Sequence, residues 1–443
     1  MLTAGNSVRA DACWSLDFSP KVQSSIEDDV AHPKSVRAPN SWKERVMEEE
    51  RLAALKPLGF RYEFPSIEKI IFGEPASKAV ASEVEKRGKR RILVLTSSSL
   101  RQSELVFSVA SALGNSHCAT YARISAGSPR SEIVAAAAVA REVSADLLIA
   151  IGGGSVVDAA KLIQLCVWEG VVGDEELDRY RGDALRNLRP RADAIRTIAV
   201  PTTLSAAEFA SLGGSYNPAT GRKEPFDHPL FVPVAVVADP AALAQSPEQL
   251  IVSTGVRTID HCVERFCSNR AQAYSDALAV GALKVLLRHL IEVHQKRAAP
   301  EAYGQLQLAS WMSMNAVNAG VPVGASHAIG RVLGAVAGVP HGQTSAVLLP
   351  SVLAWNEGDV VAANRQRQLL REVGIEGELP QVIGDCIAAL DQPRRLSSVG
   401  VRKDQFAKIA QDSMIMLQHP SVSGNLRRVR SEADVLAILE GAW

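Results

Sequence analysis

Between about residues 66 and 243 the chain alternates short aliphatic runs with longer amphipathic stretches, and this alternation constrains the fold more than any other feature. The runs are "KIIFG", "RRILVLT", "CATYARI", "ADLLIAI", "RTIAV" and "VAVVAD", and stretches such as "SEIVAAAAVAREVSA" separate several of them. Each run is strand-length and rich in β-branched or aliphatic residues, whereas the separators carry helical period. Strands that alternate with helices predict an α/β domain with a mostly parallel, doubly wound sheet. From about residue 247 the strand pattern stops. "PEQLIVSTGVRTIDHCVERFCS", "AYSDALAVGALKVLLRHLIEVHQ" and "EAYGQLQLASWMSMNAVNAG" all read as helices. The chain therefore divides into an N-terminal extension at 1–60, an α/β dinucleotide-binding domain at 61–245 and an all-helical C-terminal domain at 246–443. The extension carries a polar stretch and a charged helix, "SWKERVMEEERLAALKP", capped by Ser41. No chemistry is visible in it, and it reads as a surface arm or oligomer contact.

Charge excludes some partners. The chain has 48 basic and 48 acidic residues, so no basic field draws it to nucleic acid or to an anionic membrane. No apolar run is long enough to span a bilayer. The start, "MLTAGNSVRADACWSLDF", lacks the basic and apolar segments of a signal peptide, and a cytoplasmic location is expected. Cysteines at 13, 118, 166, 262, 267 and 386 form no CxxC pair and read as reduced, buried small residues. Cys262 points away from the face that carries His261.

Chemistry begins at "LLIAIGGGSVVDAAKLI". A buried strand ends at Ile151, Gly152, Gly153 and Gly154 follow, and a helix opens near Ser155. Glycines at such a turn let backbone N–H groups approach a phosphate, and the helix N-terminus favours its charge. A tight turn alone would also use glycine. The motif matches neither GxGxxG nor the P-loop, so it indicates a nucleotide phosphate without specifying the nucleotide. Thr202, Thr203 and Ser205 follow the strand "RTIAV". Hydroxyls at that end of a strand face the crevice of a doubly wound sheet.

"GGGSVVDAAK", "VPTTLSAAEF", "STGVRTIDHCVE", "HAIGRVLGAVAGVPHGQTSAVLLP" and "SEADVLAILEGAW" come in an order that resembles the iron-containing (group III) alcohol dehydrogenases, maleylacetate reductases included. The resemblance covers about residues 66–443. It implies hydride exchange between NAD(P)H and a small carbonyl or activated alkene, in a cleft between the two domains. It also implies cofactor contacts from Gly152, Gly153, Gly154, Ser155, Asp158, Thr202, Thr203 and Ser205, and a homodimer. Many members carry an acidic residue after the second strand, where it binds the ribose. Here Ser97 stands there, and a serine does not repel a 2′-phosphate, so NADPH is admissible beside NADH. Ser97 to Ser99 could equally cap the next helix.

Metal-dependent members hold iron or zinc with an aspartate, a histidine four residues later and two further histidines. His261, His327 and His341 match the histidines, but Arg257 replaces the aspartate. Arg331, one turn after His327, replaces another histidine that lies near the nicotinamide in such members. Two readings follow. Three neutral imidazoles could still hold a metal, giving a metal-dependent alcohol dehydrogenase or aldehyde reductase. A guanidinium beside a divalent ion opposes that reading, at about 4 kcal/mol per unit pair at ~4 Å and an effective dielectric of ~20. In the other reading the metal is absent, Arg257 and Arg331 clamp a small anionic organic substrate, and one of the three histidines moves a proton. The arginines could also pair internally with Asp260 or Glu264, although Asp260 would face elsewhere on the helix. A catalytically silent nucleotide-binding or scaffold relative is a further alternative. The remaining histidines, at 32, 117, 228, 289, 294 and 419, read as surface or packing residues.

Overall fold

The computed structural model describes residues 59–443, so the extension, its Ser41 cap, Cys13 and His32 lie outside the described residues. All six strands expected from the aliphatic runs form. They are β1 (Lys69–Phe72), β2 (Ile92–Thr96), β3 (His117–Tyr121), β4 (Leu147–Gly152), β5 (Thr197–Pro201) and β8 (Ala235–Ala238). They make one sheet in the order β1-β8-β5-β4-β2-β3, and every pairing is parallel. Parallel strands need helical crossovers, and these cover both faces. Helices α1 (Ala76–Lys86) and α2 (Glu104–Leu113) pack on the face that presents Ile92, Val94, Ile149, Ile198 and Val237. Helices α3 (Arg130–Glu142) and α4 (Gly154–Glu169) pack on the other, against Leu93, Leu95, Leu148 and Ala150. The central strands β2, β4, β5 and β8 are buried along their whole length, which is why they read as unbroken apolar runs rather than alternating ones.

The sequence reading missed a hairpin. β6 (Leu212–Asn217) and β7 (Arg222–Asp227) pair antiparallel, turning at Gly221 with φ +65°. The glycines, proline and charges in "LGGSYN" and "RKEPFD" are poor strand formers, so propensity gave no signal. Gly213 admits the hairpin onto α4, because a Cβ there would stand 3.1 Å from Leu162 Cδ1 and from Lys161 Cδ.

After β8 the described chain is helical. The long helices are α5 (Glu248–Phe266), α6 (Ala273–His294), α7 (Pro300–Asn318), α8 (Ala325–Ala337), α9 (His341–Asn356), α10 (Val360–Val373), α11 (Leu379–Ala389), α12 (Phe406–Met416) and α13 (Glu432–Gly441). One apolar core joins α5, α6 and α7 with α9, α10 and α11, and a second joins α8 and α9 with α12 and α13. Among the described residues no helix is long and apolar enough to cross a membrane.

The strand order reverses between β4 and β2. After β3 flanks β2 on one side, the chain crosses to β4 on the other. A crevice opens at such a reversal, beyond the C-terminal strand ends. Ser97 follows β2 there, and the glycine turn follows β4.

Candidate active site

The glycine turn is sterically required. A Cβ at Gly152 would stand 2.6 Å from Val156 Cγ2, one at Gly153 2.9 Å from Thr203 Cγ2, and one at Gly154 2.9 Å from Ser205 Oγ. These contacts bring Gly153 and Gly154 against Thr203 and Ser205, as expected of two loops lining one crevice. The Thr202 N–H donates to the Gly152 carbonyl at 3.1 Å, and the buried Thr203 hydroxyl has no partner. Gly153 is the N-cap of the 16-residue α4, so the cradle opens onto a helix N-terminus.

Two predicted cofactor residues have other commitments. The Ser155 hydroxyl accepts from the Gly127 N–H at 3.1 Å, which pins a neighbouring loop. Asp158 faces Lys223 at 2.8 Å and Lys161 at 3.6 Å. The Lys161 ammonium also donates to the carbonyls of Ala207 and Leu212, each at 2.7 Å, and burial pulls its pKa down. Beside it, burial pushes the Glu208 carboxyl up to about 7, and Glu208 Oε2 has no partner. Ser97 is half-buried and shares a 2.9 Å hydrogen bond with Ser99. The capping alternative for these serines needs correction. Ser98 and Ser99 open a short 3-10 turn with Ser97 at its N-cap position but no side-chain cap bond, and Ser103 caps α2 by accepting from the Val106 N–H.

Leu204 fastens this crevice to the helical part. Its N–H donates to Thr254 Oγ1 at 3.1 Å, and its carbonyl accepts from Thr258 Oγ1 at 2.6 Å. Both threonines are on α5, so the helix that carries Arg257 and His261 is bolted to the loop that carries Thr203 and Ser205.

The histidines and arginines do gather. The His261 and His327 rings stack with centroids 4.8 Å apart and planes at 26°. His341 is the first residue of α9 and is the exposed one of the three. Burial drives His261 and His327 well below the ordinary imidazole pKa, and the atoms crowded round the His341 ring lower it too, although that residue keeps an open surface. Among the further causes, Arg257 and Arg331 act on all three, and Lys223 acts on His341. All these cations therefore face one site.

The arginines do not pair with the nearby acids. Arg257 Nη1 donates to Ser345 Oγ at 3.1 Å and Arg331 Nη1 to Ser421 Oγ at 3.3 Å. Ser421 in turn bonds Nδ1 of His419 at 2.9 Å, which links this surface histidine to Arg331. Among the described residues no carboxylate comes within 4.0 Å of either guanidinium. Asp260 and Glu264 turn instead to His327. Glu264 Oε2 lies 2.7 Å from His327 Nδ1, and Asp260 Oδ2 lies 3.4 Å from it. The sequence reading missed this contact. The i,i+4 spacing of the two acids was visible, but the partner they share lies 63 residues beyond Glu264.

The site also tests the fit of a metal. Among the described residues, the group whose potential ligand atoms lie within 4.8 Å of one another is Asp260, Glu264 and His327, not the three histidines. Three of its four carboxylate oxygens are engaged, while Asp260 Oδ1 is buried without a partner. Glu264 accepts from the Gly324 N–H at 2.8 Å and the Ser326 N–H at 2.7 Å, and Asp260 accepts from the Ser326 hydroxyl at 2.8 Å. With a guanidinium in the aspartate's place, this donor set does not fit iron or zinc.

Two family models match the chain. "Iron-containing alcohol dehydrogenase" covers residues 67–240, and "Fe-containing alcohol dehydrogenase family, C-terminal" covers residues 251–443. The chain is 33% identical to dehydrogenase ALT3 of Alternaria alternata over 74% of its own length and 93% of that protein's. It is 24% identical to maleylacetate reductase 1 of Cupriavidus pinatubonensis, over 82% of its length and 92% of that protein's. Among solved structures, it superposes on a putative alcohol dehydrogenase from Ralstonia eutropha with TM-score 0.72 at 25% identity, covering 88% of this chain and 98% of that one.

Proposed function

We propose that this chain, which belongs to the iron-containing alcohol dehydrogenase family, reduces a small anionic carbonyl or conjugated enoate, and does so without a metal. The family makes it an NAD(P)-dependent oxidoreductase. The observation that carries the rest is the state of Arg257 and Arg331, two half-buried guanidiniums beside the histidines, each bonded through Nη1 to a hydroxyl and neither within 4.0 Å of a carboxylate among the described residues. A half-buried guanidinium with no carboxylate in contact keeps N–H donors to spare, which suits the seat of an anion. The likeness to a maleylacetate reductase supports the same class of substrate.

Gly152, Gly153, Gly154, Thr202, Thr203 and Ser205 would hold the cofactor, whose nicotinamide supplies the hydride when bound. Ser97 carries no charge to repel a 2′-phosphate, which supports use of NADPH as well as NADH. Arg257 and Arg331 bind and orient the substrate's acid group through guanidinium forks. A histidine between them supplies the proton to the oxygen or carbon that becomes anionic as hydride arrives. The test is a turnover screen of oxo acids, aldehyde acids and enoates against neutral aldehydes and ketones, with NADPH and NADH. Acids should dominate. Preference for neutral carbonyls over their acid analogues would refute the reading.

A further inference from the structure

Three histidines share this site, but their surroundings differ. His341 is exposed, and among the described residues its ring makes no hydrogen bond. His261 is buried, its Nδ1 has no partner, and no carboxylate anchors its ring. His327 is buried at 2% exposure, and its nitrogens are unequal. Nδ1 meets Glu264 Oε2 at 2.7 Å, whereas Nε2 is buried with no partner.

The Glu264 carboxylate is placed by a specific local design. Both of its oxygens accept backbone N–H groups at the start of α8, from Gly324 at 2.8 Å and Ser326 at 2.7 Å. A Cβ at residue 324 would stand 2.9 Å from Glu264 Oε1, so glycine there lets the carboxylate reach the helix end. With N–H donors on both oxygens, the ionised Glu264 meets Nδ1 as an acceptor, and Nδ1 then carries the hydrogen. The ring then has its lone pair on Nε2, the nitrogen without a partner.

We propose that Glu264 is the positioning residue that makes His327, rather than His261 or His341, the proton-transfer histidine of this site, with Asp260 as a second acceptor behind it. In the reducing direction His327, neutral at rest, first takes a solvent proton on Nε2 and so acts with both nitrogens protonated. As the carbonyl carbon gains hydride, the Nε2–H bond breaks, its proton forms the O–H bond of the alcohol, and the electron pair of that bond stays on Nε2. Nδ1–H is retained throughout, and solvent restores the Nε2 proton. In the oxidising direction Nε2 takes the hydroxyl proton. This inference rests on the oxidoreductase reading but not on the substrate's charge.

The first test is nitrogen NMR of ¹⁵N-histidine-labelled enzyme with NADP⁺ bound. His327 should be in the Nδ1–H form in wild type and lose that preference in Glu264→Gln. On the best carbonyl from the screen, Glu264→Gln should lower kcat by roughly 10²-fold, with KM for substrate and cofactor changed less than about threefold. Because both residues act through one proton, adding Glu264→Gln to His327→Gln should cost less than about threefold more. Glu264 also caps α8, and should its variant not fold, the wild-type tautomer and Asp260→Asn, with a smaller kcat loss, decide the matter. An Nε2–H tautomer in wild type, a loss confined to KM, or additive losses in the double variant would overturn the proposal. If neutral carbonyls win the screen and kcat still depends on Glu264, the substrate-charge reading fails while this inference stands.

Discussion

Truncating Arg257 or Arg331 separates recognition from stability, because the structure predicts a large effect on the first and a small one on the second. A charge-assisted contact to an acid substrate is worth about 1.5–3 kcal/mol. At ~1.4 kcal/mol per decade, Arg257→Ala or Arg331→Ala should lower kcat/KM on the acid substrate by roughly 10- to 150-fold. On a neutral analogue the loss should be less than about threefold. In the folded protein without substrate, the described partners of each guanidinium are hydroxyls, Ser345 for Arg257 and Ser421 for Arg331. Removal then loses one modest hydrogen bond and some attraction to Asp260 and Glu264, neither of them in contact, so thermal stability should fall only slightly. Arg130 provides the contrast. It is buried, with Asp178 at 2.8 Å and Glu224 at 2.5 Å, and Arg130→Ala strands those acids at a cost of about 3–5 kcal/mol. The assays are steady-state kinetics on an acid and its neutral analogue, beside thermal melts. Equal losses on both substrates, or melting points that fall as far as for Arg130→Ala, would show that the two arginines are structural.

Four further outcomes are expected. Purified enzyme should carry well under one equivalent of iron or zinc by elemental analysis and keep its activity in chelator, and activity restored by stoichiometric metal would contradict the reading of the donor set. Ser97→Asp should shift preference from NADPH towards NADH, measured as the ratio of kcat/KM values, whereas an unchanged ratio would remove Ser97 from the ribose pocket. Gly153→Ala should raise the cofactor KM at least tenfold while the melt stays close to wild type, since its Cβ would press on Thr203 at 2.9 Å. The Glu208 carboxyl, pushed up to about 7 from an ordinary 4.5, holds its proton longer in the folded than in the unfolded chain. Its contribution is therefore lost as pH rises from about 4.5 to 7, by at most about 3 kcal/mol. Glu208→Gln should match wild type near pH 4.5 and be the more stable above pH 7, which denaturant melts across that range would check.

How much of this was legible depended on whether the determining contact was local. The parallel sheet was visible because a strand buried on both faces must be apolar throughout, and β2, β4, β5 and β8 are. The glycine turn was visible because three glycines at a strand-to-helix junction have few other uses. The i,i+4 pairs Arg257 with His261 and Arg331 with His327 follow from helix geometry alone. The β6–β7 hairpin was hidden because Gly213 is there for what lies beneath it on α4, a long-range contact without a local pattern. Lys161 was equally hidden, since an ammonium that donates to two carbonyls of a distant loop has no signature in its own helix.

The acids on α5 show where such reading stops, and why charge completes it. Asp260 and Glu264 sit one turn apart on one side of α5, and Asp260 does not face away from Arg257, whose charge acts on it. Helix geometry gives that direction but not what waits there, which is the start of α8 and His327. Once they are committed to that start, they are not ion-pair partners for the arginines. Arg257, Arg265 and Arg331 all act on His327, and two carboxylates stand against them. One positive charge is left over even with both acids ionised, and burial raises the pKa of Asp260 and of Glu264, so the surplus only grows when either takes a proton. A substrate monoanion would cancel the surplus. It would also relieve the opposition to a charged His327 at the moment when a proton is needed. The same substrate charge that is recognised would therefore prepare the proton donor. A neutral carbonyl does neither, so it should lose in kcat as well as in KM, and the ratio of kcat between an acid and its neutral analogue should collapse towards one when both arginines are removed.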